Sequence, residues 1–270
     1  MKNSFGNNLP IVNLHKKKSF RSEVDTQLLY GENFKVIKKY IGWKKIRLKK
    51  DGYIGYIKNN RFSDSMKPTH KVSVLKARLY SKPNSKKKLQ KFLSYESRVR
   101  LVKKSRKFGK FGKYWVRTSD LKKNNFKYRN IFKDIKLFKN TKYLWGGKSY
   151  MGIDCSALVQ IFFNHNNKYC PRDSKDQEKY FKKKVKFKNI KKNDMIFWKG
   201  HVAVALSKNK LIHAYGPMKK VVIMNTKKTI ERIYKTANLK ITSIKDLKMH
   251  WILLGIAIGV IFYLGDKYLL

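Results

Sequence analysis

At 270 residues, with 66 basic against 16 acidic side chains and a formal net charge of +50, the chain can hold one large domain or two to three small ones. Two cysteines exclude a disulfide framework, and only 11 of the basic residues are Arg, which argues against specific nucleic-acid recognition. The lysines run through every segment, as a solvated surface would show, and the overall field they create attracts acidic peptides or membranes without naming a partner.

Residues 1–24 are polar and lysine-rich, read as an N-terminal extension with no apolar run of the secretory-signal kind. A first unit follows over 25–65. Phe34 and Val36, then Trp43, Ile46 and Leu48, fall at strand spacing, and Asp51-Gly52 marks a hairpin turn before residues 53–57. A second unit, 66–122, echoes it: Leu93, Val99 and Leu101 lie 65 residues after Leu28, Phe34 and Val36. Short strands and tight turns predict two small barrels, with Trp43, Tyr53, Tyr56, Tyr114 and Trp115 as core rather than ligand platform.

Residues 123–248 read differently. Apolar residues at 131, 132, 135, 137 and 138 predict an amphipathic helix. A glycine-rich loop, Tyr143-Leu-Trp-Gly-Gly147, then leads to Gly152-Ile-Asp-Cys155, and the apolar run from Ala157 to Phe163 predicts a buried helix starting at the cysteine. A helix N-terminus favours the thiolate. Two predicted strands carry His201 and His213, suited to accept the thiol proton and to orient the acceptor. Pro171-Arg-Asp-Ser174 predicts a helix start capped by Asp173 or Ser174, residues 219–224 a strand and 229–234 a short helix. Cys170 reads as a small buried hydrophobe. No spacing supports a metal site, and no cofactor is expected. Residues 249–270 contain fourteen consecutive apolar positions, 251–264, read as a C-terminal hydrophobic helix that is either a membrane anchor or a docking helix. Lysines at 240, 245 and 248 would keep the preceding domain cytoplasmic, tethered to the inner face of the membrane if the tail inserts.

The blocks Tyr-x-Trp-Gly-Gly, Gly-x-Asp-Cys-Ser-Ala-Leu-Val-Gln, Gly-His-Val and Ile-His-Ala, in that order, resemble the NlpC/P60 cysteine peptidases. The chain looks like the bacterial members with tandem SH3-like domains ahead of the peptidase. The resemblance covers roughly residues 10–245 and implies two all-β SH3-like barrels before an α+β papain-like domain. It makes Cys155 the nucleophile, His201 the base and His213 the orienting residue. Tyr143 would polarise the scissile carbonyl with the N–H of Cys155. Asp154 and Ser156 would meet the free amine of a short peptide, with Trp145 beside the substrate. The implied reaction hydrolyses the γ-D-glutamyl–diaminopimelate or –lysine bond of murein peptides, by a monomer engaged in wall recycling. Two other classes stay open: a non-catalytic adaptor for wall fragments, and a membrane acyltransferase, whose known members place His before Cys.

Overall fold

The structure, a computed structural model, describes residues 4–247. Seven strands form the first sheet: β1 Ser4–Gly6, β2 Ile11–His15, β3 Val24–Leu29, β4 Asn33–Tyr40, β5 Trp43–Leu48, β6 Ile54–Lys58 and β7 Ser63–Asp64, in the order β3-β2-β6-β5-β4-β1-β7. Val12, Leu14, Leu28, Phe34, Ile46, Leu48 and Ile57 fill its interior. The β5–β6 turn is Asp51-Gly52, where Gly52 takes φ +77° and the Asp51 carboxylate accepts the N–H of Tyr53 at 3.1 Å.

This sheet corrects the reading of residues 1–24 as an extension. β1 pairs with β4, and β2 pairs with both β3 and β6. The alternation of Val12 and Leu14 is too short to announce a strand alone; its burial comes from partners farther along the chain.

The second unit carries β8 His70–Val72, β9 Lys76–Tyr80, β10 Lys88–Ser94, β11 Arg98–Val99, β12 Lys103–Ser105, β13 Phe108–Phe111, β14 Tyr114–Arg117 and β15 Leu121–Lys123. They divide into a five-stranded sheet, β10-β9-β14-β13-β12, and a three-stranded one, β11-β8-β15, around Val72, Leu79, Leu93, Val99, Phe111 and Val116.

In the third unit a small hairpin, β16 Lys148–Ser149 and β17 Gly152–Ile153, precedes helix α1 Cys155–His165. Helix α2 Ser174–Tyr180 follows, then β18 Met195–Trp198, β19 His201–Ala205, β20 Lys210–Tyr215, β21 Lys220–Asn225, α3 Thr226–Ala237 and β22 Ile241–Lys245. The strands build an antiparallel sheet in the order β21-β20-β19-β18-β22. Every residue of α1 is buried, its apolar side chains packing on Val202, Val204, Ile212 and Ala214. The other face of the sheet, with Ile196, Trp198, Ala203 and Leu211, is covered by Ile233 of α3.

The helix expected over 130–138 is absent. Asn130 Oδ1 accepts the N–H of Phe132 at 3.1 Å, a local bond that competes with helix, and only Ile135–Phe138 closes a 3-10 turn. Phe132, Ile135 and Phe138 are nonetheless buried against α1. Among the described residues no helix is long and apolar enough to cross a membrane. The expected hydrophobic helix over 249–270 lies outside the described residues.

Buried polar groups join the units. Lys148 of β16 contacts both carboxylate oxygens of Glu32 at 3.0 Å and donates its backbone N–H to Gln27 at 2.9 Å. Glu96 in the second unit is held by Lys50 of the first barrel and by Arg98, whose guanidinium also reaches the Asn164 carbonyl on α1 at 2.8 Å. Gly31, at φ +83°, lies where a Cβ would fall 2.0 Å from the Arg98 carbonyl, so the junction requires glycine.

Burial alone would raise the Glu96 carboxyl, but Lys50 and Arg98 outweigh it and hold the group down at about 2. A depressed folded-state value contributes stability above the ordinary glutamate range that is lost as pH falls through about 2. Glu96→Gln strands Lys50 and Arg98, so urea unfolding at pH 7 is expected to show a loss of about 3–5 kcal/mol, with the gap from the native protein closing in acid.

Candidate active site

Helix α1 begins where it does because Asp154 caps it. Its backbone is extended (φ −94°, ψ 176°) and Oδ1 accepts the N–H of Ala157 at 2.8 Å. Oδ2 accepts the N–H of Gly146 at 3.0 Å, which ties the Trp-Gly-Gly loop to the helix start. That loop also abuts the first barrel: Gly146 has φ +70°, and a Cβ there would lie 2.0 Å from the Val24 carbonyl oxygen.

The buried Arg172 guanidinium closes over the same carboxylate with Nη1 and Nη2, donates from Nε to Thr26 Oγ1 at 2.7 Å and reaches Ser156 Oγ at 2.9 Å. Ser156 Oγ in turn donates to Asp154 Oδ1 at 3.2 Å. Asp154 and Ser156 are engaged by the helix cap and by Arg172, and both also line the cleft over the sulfur. The sequence predicts that Asp173 or Ser174 caps α2. Asp173 occupies the N-cap position of α2 but makes no side-chain cap bond; Oδ2 instead accepts the Tyr53 hydroxyl at 3.3 Å.

Cys155 presents its sulfur to the backbone on both sides of His201. The thiol points to the Gly200 carbonyl at 4.0 Å, and the N–H groups of Val202 and Ser156 donate to the sulfur. A helix N-terminus is worth about 1 kcal/mol, less than one pKa unit. Burial is the larger effect and, with the Asp154 carboxylate nearby, pushes the thiol up to about 12 against Arg172 and the backbone donors. The thiolate expected from helix position alone is thus not the resting form. Burial lowers His201 to about 4, and burial with the neighbouring His201 ring lowers His213. The resting pair is neutral.

His201 Nε2 lies 2.8 Å from His213 Nδ1, and His213 Nε2 lies 3.5 Å from Met224 Sδ. A thioether sulfur can only accept, so this partner puts the His213 proton on Nε2 and leaves Nδ1 as an acceptor. His201 must then carry its own proton on Nε2, which frees Nδ1 as the basic nitrogen. Tyr215 stacks on His213 at 4.7 Å and 13°, holding the ring plane.

A cleft of about 250 Å³ opens over the sulfur, lined by Trp145, Cys155 and Ser156 together with Lys16, Glu23, Asp25 and Tyr53 from the first barrel and Asp173 from the start of α2. Trp145 is 59% exposed there. The half-buried Tyr143 phenol is pushed up by burial, then by Cys155 and Asp154, and so keeps its proton. Burial also raises Asp25 and Asp173; Glu23 and then Asp173 add to the rise at Asp25, and Asp176 and Asp154 to that at Asp173. Sequence reading missed Tyr53, Asp25 and Met224; its one usable signal for the first was the Asp-Gly turn that presents Tyr53. Among the described residues no group of His, Cys, Asp and Glu is arranged to hold a metal.

A cysteine at a buried helix N-terminus and a hydrogen-bonded histidine pair on the antiparallel sheet packed against that helix are the parts of a thiol hydrolase. A family model described as NlpC/P60 family matches residues 140–239, and another, described as bacterial dipeptidyl-peptidase SH3 domain, matches 14–61. The chain thus carries an NlpC/P60 domain over residues 140–239 and a bacterial SH3 domain over 14–61, and it is a peptidase. It is 29% identical over 234 residues to a gamma-D-glutamyl-L-lysine dipeptidyl-peptidase of Bacillus subtilis (strain 168), covering 77% of each chain. It is 27% identical over 231 residues to the protein of that name from Bacillus cereus (strain ATCC 10987 / NRS 248), covering 72% of this chain and 68% of the other. The crystal structure of an NlpC/P60 family protein from Bacillus cereus ATCC 10987 superposes with a TM-score of 0.76 at 18% identity, over 90% of this chain and 99% of that one, a likeness of fold.

A neutral thiol in this site has a definite signature. The rate of Cys155 alkylation by iodoacetamide is expected to climb about tenfold per pH unit from pH 7 to 10; a rate already level at pH 7 would mean a preformed ion pair.

Proposed function

We propose that this peptidase hydrolyses the γ-D-glutamyl–diamino acid bond of short cell-wall peptides with a free N-terminus, in recycling at the cytoplasmic side of the membrane. The observation that carries the reading is the meeting of two features at Cys155: its sulfur lies against the backbone on either side of His201, whose ring bonds to His213, and it opens into a cleft with acidic residues from the first barrel. The names of the Bacillus relatives support the bond.

In the proposed reaction the scissile carbonyl lies over the sulfur. As Cys155 attacks the carbonyl carbon, its proton moves to His201 Nδ1, so no free thiolate has to exist at neutral pH. The imidazolium that forms donates from Nε2 to His213, which stabilises it at the moment it appears. The Cys155 N–H and the Tyr143 hydroxyl stabilise the oxyanion. His201 then returns the proton to the departing amine, leaving a thioester, and removes a proton from the water that hydrolyses it.

Burial and the neighbouring Glu23 and Asp173 carboxylates raise Asp25, and a cation beside these groups relieves that cost. A protonated peptide amine is such a cation. Tyr53, bonded to Asp173, closes the pocket and Trp145 forms its exposed wall. Asp154 and Ser156 line the same cleft beside this pocket.

Incubation with L-Ala-γ-D-Glu-L-Lys and its diaminopimelate counterpart is expected to release the third residue, with Cys155→Ala at least about 10⁴-fold slower; no release from either peptide would overturn the reading. N-acetylation of the alanine is expected to lower kcat/KM about 100-fold by removing the charge that the pocket pairs. Met224→Leu keeps the volume but frees the His213 tautomer. It should lower kcat about tenfold with KM unchanged, whereas a merely structural role would move the two together or only the melting temperature.

A further inference from the structure

The hairpin of β4 and β5 sets like charges opposite one another three times. Lys35 faces Arg47, Lys38 faces Lys45 and Lys39 faces Lys44. Directly opposed like charges destabilise an antiparallel pair, and no acidic residue occurs between positions 33 and 50 to offset them. Lys44 shows the strain: its ammonium is lowered by partial burial and by Lys39. General lysine richness explains many exposed lysines; it does not explain their register against each other across one ladder.

Beyond the last pair the strands turn through Ile41 and Gly42, the latter at φ +72°. Ile41 is 102% exposed, the side chain standing wholly in solvent at the tip. Phe20 from the β2–β3 loop, 67% exposed, packs on Trp43 at the base of the same turn with ring centroids 5.0 Å apart. Lys18 and Lys38 lie over the Tyr40 ring at 4.9 and 5.6 Å, and Lys58 over Phe20 at 5.2 Å. An apolar tip with aromatic rings below it and a collar of lysines is the arrangement that enters the headgroup region of a bilayer: rings at the interface, stems along the acyl boundary, ammonium groups on phosphates.

We infer that the β4–β5 hairpin is a docking device for an anionic lipid surface, with Ile41 as the inserted residue and the facing lysine pairs as its electrostatic anchor. A nucleic-acid strand would answer the charge equally well. It gives no reason for a fully exposed branched aliphatic side chain at the tip, and the chain offers few Arg forks for phosphate. The contact is separate from the proposed cleavage chemistry, although the loop that supplies Phe20 also supplies Lys16 and Glu23 to the cleft.

The test is co-sedimentation of the full chain with vesicles of phosphatidylcholine containing phosphatidylglycerol, beside pure phosphatidylcholine, at physiological salt. The native chain is expected to partition more strongly onto the anionic vesicles. Each charge near such a surface is worth about fivefold, so Lys38→Glu with Lys39→Glu should weaken partitioning at least about 25-fold. Those changes convert two repulsive cross-strand pairs into attractive ones, so the melting temperature should hold or rise as lipid binding falls. Ile41→Asp should weaken vesicle binding about tenfold or more and leave binding to duplex DNA unchanged. The residues 249–270 are common to all variants, so differences among them read the hairpin. Equal vesicle binding by native protein and variants overturns the inference. So does a charge-dependent affinity for duplex DNA with vesicle binding insensitive to Ile41→Asp. Peptide hydrolysis, expected to be unaltered in each variant, shows separately that the site is folded.

Discussion

The site rests on the buried pair of Arg172 and Asp154. One carboxylate caps the nucleophile helix, accepts the N–H of Gly146 from the Trp-Gly-Gly loop and neutralises a guanidinium that reaches Thr26 in the first barrel. Burial opposes the charge on Arg172, yet pairing with Asp154 outweighs it and raises the group further. The ion pair is thus fully formed, and either partner alone would be a stranded charge in an apolar site. Loop, helix and barrel are fixed relative to the sulfur by that one contact. Gln177 extends the hold, bonding the carbonyls of Ser156 and Pro171 at 2.9 Å each.

With the helix start fixed in a dry setting, the chemistry departs from a preformed thiolate. The resting thiol and imidazole are both neutral because burial acts on each toward its uncharged form. What the protein prepares is direction. Met224, an acceptor only, fixes the proton of His213; His213 fixes that of His201; the remaining nitrogen is the basic one. Charge separation can then be confined to the attack, when the substrate supplies its own developing oxyanion.

Much of this could be read from residue order. The buried helix from Cys155 was legible because its apolar positions run all the way round, and His201 and His213 because each sits in a short β-branched or aliphatic run. The order of the motifs, with Cys155 before the histidines, carried the family. Three things were not legible. The strands at 4–6 and 11–15 are short, and their burial comes from pairing with residues 9 to 41 positions away. The segment 130–138 has helical spacing, but the side-chain bond of Asn130 diverts its backbone and leaves a single 3-10 turn. The acidic pocket joins Asp25 and Tyr53 to Asp173 across some 120 to 150 positions, and the hold of Arg172 on the Asp154 carboxylate likewise shows only in the folded chain. Local pattern finds residues that act through their own element; it does not find those that act through a neighbour's.

The joints between units carry buried ion pairs beside their apolar contacts, among them Leu29 and Tyr95 in the core of the third unit. Glu32 with Lys148, Glu96 with Lys50 and Arg98, and Arg172 with Thr26 each put one partner in a different unit. Apolar joints tolerate exchange of one patch for another of similar shape, but a buried charge accepts only its complement. Shuffling the peptidase unit onto a foreign scaffold would therefore leave unmatched ions at every seam. A chain of this design is heritable as one piece, and its first two units are internal parts of the enzyme even though each packs around a core of its own.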